Sequence, residues 1–120
     1  MSATPDSGPL VFAAEADLIR IRFRSRVELL AEIPAGYATE VTERLRSAMN
    51  DPQQRLVVDL ESVRGLSSRQ LGLLLLIRKA LEGRLEPVPL VGVSPGVRRL
   101  LQVTQTARFF DMDATDPGGS

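Results

Sequence analysis

Residues 56–82 read LVVDLESVRGLSSRQLGLLLLIRKALE, and the order of side-chain types within them decides the fold. Leu56 to Leu60 is short, apolar and rich in β-branched residues, as a strand buried on both faces should be. A polar stretch follows, and then a leucine-rich segment runs to about Glu82. Projected at about 100° per residue, Leu73, Leu74, Leu76, Ile77, Ala80 and Leu81 gather on one side, which is the side expected to lie on a sheet. The opposite side carries Arg78, Lys79 and Glu82. Leu71, Gly72 and Leu75 fall among those charges, and Ser68 heads the same stripe because 68, 71, 72, 75 and 79 are separated by threes and fours. A strand leading through a loop into an amphipathic helix is half of a βαβ unit.

Working outward, Val88 to Val93 is another apolar strand, although Pro89 removes a ladder donor. Ser94-Pro95 then gives a helix start, with serine as cap and proline in the first helical position, leading into Val97, Leu100 and Leu101. A short strand around Phe109 to Met112 ends the series. Upstream, Ala38, Val41, Leu45, Ala48 and Met49 recur at helical spacing between Pro34-Ala35-Gly36 and Asn50-Asp51-Pro52. Leu18 to Arg26 alternates, with Ile19, Ile21 and Phe23 on one side and Arg20, Arg22, Arg24 and Arg26 on the other, so it reads as a half-buried strand. A turn near Ser25 and Arg26 would return the chain as Val27 to Ile33, making an N-terminal antiparallel hairpin. The four arginines could grip a phosphate-bearing partner; a solvated face crossed by Glu28 and Glu32 explains them as well. The expected class is α/β, a mixed sheet with an N-terminal antiparallel hairpin and helices packed on it. Residues 1–9 and 114–120, rich in Ser, Thr, Asp, Pro and Gly, read as disordered tails, which leaves 10–113 as one domain.

Composition narrows function by exclusion. Histidine and cysteine are both absent, which removes disulfides, thiolate chemistry, haem, most zinc sites and any imidazole acid or base. Fifteen basic residues balance fifteen acidic ones, so no global field draws the chain to nucleic acid or to a membrane surface. The run from Leu71 to Ile77 is far shorter than the roughly 20 residues of a membrane span. The opening MSATPDSGPL lacks a basic n-region followed by an apolar h-region, and a cytoplasmic location is the default expectation. Asp111 and Asp113 form a D-x-D pair too sparse for a metal site, so neither a metal nor a cofactor is expected.

The two serines part company on spacing. Ser67-x-x-Gln70 has the form of a capping box, in which Ser67 accepts from the N–H of residue 70 and Gln70 reaches back to the N–H of residue 67. Ser68 is then the first helical residue, its hydroxyl free at the positive end of the helix, where serine is also simply tolerated. Catalysis by Ser68 would need a base. None is near: Lys79 lies eleven residues along the same helix, roughly 16 Å away. A phosphate on Ser68 would be favoured by the helix while adding about −1.5 to −2 charge to the stripe.

In order, the strand LVVDLESV, the helix start LSSRQLG with its apolar continuation, the strand LVGV, SPGVRRLLQVT and RFF resemble the STAS domain. That module is shared by bacterial anti-sigma factor antagonists and the cytoplasmic tails of sulphate transporters. The likeness spans about Leu18 to Met112, with AEIPAGYATEVTERL where the family has its second strand and first helix. In the antagonists the second helix opens with Asp-Ser-Ser/Thr-Gly-Leu-Gly, and the first serine is phosphorylated by a partner that is both serine kinase and anti-sigma factor. The resemblance carries that role to Ser68. It implies a non-enzymatic regulatory module whose contact surface is Ser68, Arg69, Leu71, Gly72, Leu75 and Lys79, and whose partner is an anti-sigma factor or serine kinase. The alternative is a scaffold or adaptor subunit, in a homo- or hetero-oligomer, that uses the same surface without phosphorylation. The sequence departs from the family pattern at Ser67, Arg69 and Gln70, at Ala31 in place of a glycine and at Pro34 in place of an aspartate.

Overall fold

A computed structural model describes residues 9–24 and 35–117. The elements run β1 (Leu10–Glu15), β2 (Leu18–Phe23), α1 (Tyr37–Ala48), β3 (Arg55–Asp59), α2 (Ser68–Ala80), β4 (Val88–Val91), α3 (Pro95–Val103), a 3-10 turn (Ala107–Phe109) and β5 (Phe110–Asp111). The five strands form one sheet in the order β1-β2-β3-β4-β5. β1 and β2 are antiparallel, with Leu10 opposite Phe23 and Glu15 opposite Leu18. All later pairings are parallel. The class is therefore the mixed α/β sheet that the alternation of strands and helices implies, with the hairpin at its N-terminal end.

The described N-terminal hairpin pairs β2 with a strand that the sequence pattern does not mark. β2 folds back on β1, through Ala16 and Asp17; the expected return strand Val27 to Ile33 lies outside the described residues. β1 reads LVFAAE: its second half holds poor strand formers, and as the first strand of the sheet it is half exposed. The turn lacks the glycine that usually marks such a connection. Ala16 takes a positive φ of 53°, and Asp17 is fixed by Arg55, whose Nε and Nη2 donate to its carboxylate at 3.0 and 2.8 Å. Those bonds hold the Asp17 carboxyl below its ordinary pKa.

All three helices feed one core. Ile21 and Phe23 of β2, Leu56 and Val58 of β3 and Val88 and Leu90 of β4 face Val41 and Leu45 of α1, Leu73, Leu74 and Ile77 of α2, and Val97 and Leu101 of α3. Alternation along β2 and β3 accounts for this, since every second residue reaches the same side. Tyr37 closes the N-terminal edge: its hydroxyl accepts the Leu10 N–H at 3.2 Å, and burial pushes its pKa above the ordinary tyrosine value. The opposite face of the sheet carries a separate small cluster, Leu18, Val57 and Val91. None of the described helices is long and apolar enough to cross a membrane.

Candidate functional site

The site is built where β3 and β4 deliver their chains to α2 and α3. After Asp59 the backbone stays in the sheet for one more bond, Leu60 N–H to Val91 O at 2.9 Å. The Asp59 carboxylate accepts the Glu61 N–H at 2.9 Å, and Val63 is buried beneath the loop. The loop after β4 fits against it closely. A Cβ on Gly92, whose φ is +68°, would lie 2.8 Å from Glu61 Cα, and one on Gly96 would lie 2.7 Å from the Arg64 carbonyl oxygen. The Ser94 hydroxyl donates to that same carbonyl at 2.7 Å while accepting the Val97 N–H at 3.2 Å. Two helix starts are thereby pinned side by side.

At the start of α2 both halves of a capping box are present. Ser67 Oγ accepts the Gln70 N–H at 3.2 Å, and Gln70 Oε1 accepts the Ser67 N–H at 2.9 Å. Gln70 is fully buried, and its Nε2 donates to the Arg24 carbonyl at 3.2 Å, at the end of β2. That third bond has no sequence signal, since it links residues 46 apart. It ties the helix start to the sheet, and Ser68, directly after the capping serine, is exposed.

Arg69, Gly72 and Lys79 are exposed with Ser68, and Gly72 has open space where a Cβ would stand. Leu71 and Leu75 differ from the projection, which set them on the surface: both are half-buried and pack against the main core. Leu76, projected onto the sheet side, is also half-buried. A helical wheel accounts for the sheet below α2 and misses its neighbours on either side. On one flank Leu76 lines a shallow recess shared with Ala38, Thr42 and Arg46 of α1. On the other, Arg78 lies over the Phe109 ring, its guanidinium carbon 3.9 Å from the centroid, and pairs with Glu82 at 3.3 Å. The row therefore presents a polar and glycine surface, Ser68, Arg69, Gly72 and Lys79, bordered by leucine edges.

What this surface can do chemically is limited. Among the described residues no basic or acidic side chain is hydrogen-bonded to Ser68, and no group of three or more acidic side chains gathers to hold a metal. Asp111 and Asp113 are used locally: Asp111 accepts the Asp113 N–H at 3.1 Å, and Asp113 pairs with Arg98 at 3.1 Å. The exposed hydroxyl at the first position of a 13-residue helix is suited to receive a phosphoryl group, because the helix N-terminus favours added negative charge.

A sequence profile described as "Mlab, STAS domain" matches residues 21–111. Curated proteins give no match. Solved structures share the fold, among them three anti-sigma factor antagonists. An anti-sigma factor antagonist from Mycobacterium paratuberculosis is 23% identical, with 96% of this chain and 92% of that one covered and a TM-score of 0.57. An anti-sigma-factor antagonist (STAS) domain protein from Planctomyces limnophilus is 21% identical, with 89% and 91% covered and a TM-score of 0.59. The anti-sigma factor antagonist SpoIIAA, in its unphosphorylated form, is 19% identical, with 89% of each chain covered and a TM-score of 0.56.

Proposed function

The chain belongs to the STAS domain family, and from that premise we propose that it is a cytoplasmic regulatory module of the anti-sigma factor antagonist type, binding an anti-sigma factor or serine kinase through the start of α2. The observation that carries this reading is the division of labour between neighbouring serines. Ser67 is consumed by the cap, while Ser68 stands exposed at the head of the row with Gly72 and Lys79. A phosphate on Ser68 adds about −1.5 to −2 charge to a surface whose exposed charges, Arg69 and Lys79, are positive. The cap is untouched. The fold persists, and the surface a partner reads is changed.

The module acts by binding and has no turnover of its own. A partner is captured with the wild-type chain and then titrated with Ser68→Ala and Ser68→Asp. Ser68→Ala should bind as wild type, Ser68→Asp roughly tenfold or more weakly, with the difference shrinking in high salt. Intact-mass measurement after incubation with the partner and ATP should add one phosphate to wild type and none to Ser68→Ala. Equal binding by all three chains with no phosphate added would leave the second reading, a scaffold or adaptor using the same surface constitutively. That reading is favoured by Arg69 and Gln70, which replace the small residues of the family motif.

A further inference from the structure

The sheet face turned away from the helices has an occupant. Leu18, Val57 and Val91 are only 3%, 0% and 6% exposed although no described helix reaches them. Among the described residues the apolar group packed on this trio is Ala114, from the segment after β5. Two residues on, Asp116 takes both terminal nitrogens of Arg20: Nη1 donates to Oδ2 at 3.1 Å, and Nη2 donates to Oδ1. Such a paired contact is the geometry in which arginine best recognises a carboxylate. The receptor is set in advance, because Arg20 Nη1 also donates to Asp59 Oδ2 at 3.2 Å and Asp59 is anchored by the Glu61 N–H. Along the segment, Ala114 and Asp116 are half-buried while Thr115 and Pro117 are exposed. That is the period of an extended chain with alternate residues seated. Upstream, Arg98 holds the segment at the Met112 carbonyl and the Asp113 carboxylate.

We infer that this helix-free face is a docking site for an extended segment of the pattern small residue, any residue, acid, and that residues 114–116 occupy it in cis. Arg20 is the carboxylate receptor, and the Leu18–Val57–Val91 cluster seats the small side chain. Tethering supplies an effective concentration in the millimolar range, so the resident segment excludes weak competitors of the same chemistry and yields to a more extended match.

The chain has no cysteine, so a nitroxide on Thr115→Cys labels this segment alone in the full chain. The label should broaden the methyl resonances of Leu18, Val57 and Val91 within the same molecule, with no effect on unlabelled chains mixed with it. Adding Asp116→Lys should restore those intensities by roughly threefold or more, since like charges then face each other at Arg20, while the amide spectrum stays dispersed. A free peptide DATDPGGS at about 10 mM should restore them too, being in excess of the tethered segment, and DATNPGGS should not. Broadening that survives Asp116→Lys, or that arises only between chains, overturns the cis anchor. A DATDPGGS peptide that displaces nothing overturns the docking site.

Discussion

Helices α2 and α3 open alike and finish in opposite surroundings. Ser67 and Ser94 share a φ of −74°, with ψ of 168° and 159°, and each hydroxyl accepts the amide three residues on at 3.2 Å. At α3 the turn that follows is closed on one side: Gly96 lies against the Arg64 carbonyl and the Ser94 hydroxyl is shared with that carbonyl, while Pro95, in the first helical position, and Gly96 keep an exposed face. At α2 the turn is open, with Ser68 and Arg69 exposed and nothing within 4 Å of a Cβ at Gly72. A serine cap satisfies backbone donors equally well in both places. Whether a helix end is structural or available depends on what packs beside its first turn.

The contrast is sharpest at the glycines. Gly96→Ala must push a Cβ into the Arg64 carbonyl, and should cost about 2 to 3 kcal/mol in a denaturant melt. Gly72→Ala fills open space in a helix interior and should gain about 0.5 to 1 kcal/mol, while weakening whatever docks on the row. Similar effects at the two glycines would erase the distinction between a closed and an open helix start. Gln70→Ala comes next, at about 1 to 3 kcal/mol, because it strands the Ser67 N–H and the Arg24 carbonyl. Ser67→Ala should cost about 0.5 to 2 kcal/mol and Ser94→Ala at least as much. Ser68→Ala, next door, should stay within about 0.5 kcal/mol. If Ser68→Ala is the destabilising change, the open start is a misreading of α2.

The smallest effect at neutral pH belongs to α1, which begins without a side-chain cap, at Gly36 with φ 82°. Its first residue, Tyr37, must stay protonated in the buried position beside Leu10, and its pKa is raised. The stability tied to that neutral form is complete below the ordinary tyrosine pKa and is lost as pH rises through the raised value. Melts from pH 7 to 11 should be flat at first and then fall, and Tyr37→Phe should flatten the upper part.

Much of this was legible because the signals were local. Leu56–Leu60 announced a buried strand, Ser94-Pro95 a helix start, and S-x-x-Q a cap. The misses are cases in which a partner outside the segment itself decides. β1 carries no alternation strong enough to mark it, and its strand character comes from pairing with β2. Leu71 and Leu75 are half covered because the fold surrounds α2 on its flanks as well as beneath it. The acids on Arg20 are Asp59 and Asp116; the Glu28 and Glu32 suggested by the sequence lie outside the described residues. Asp116 came from a stretch with the composition of a tail.

The Gln70 side chain also has a consequence for the order of events during folding. Its bond to the Arg24 carbonyl closes a loop of 46 residues, and such contacts repay their entropy late, after shorter-range structure has formed. Gln70→Ala should therefore accelerate unfolding far more than it slows folding, as a chevron plot would register. The α2 turn that carries Ser68 is held at full strength only once β2 and α2 have met. The partner proposed to read this turn would thus distinguish a finished domain from a nascent or half-unfolded chain.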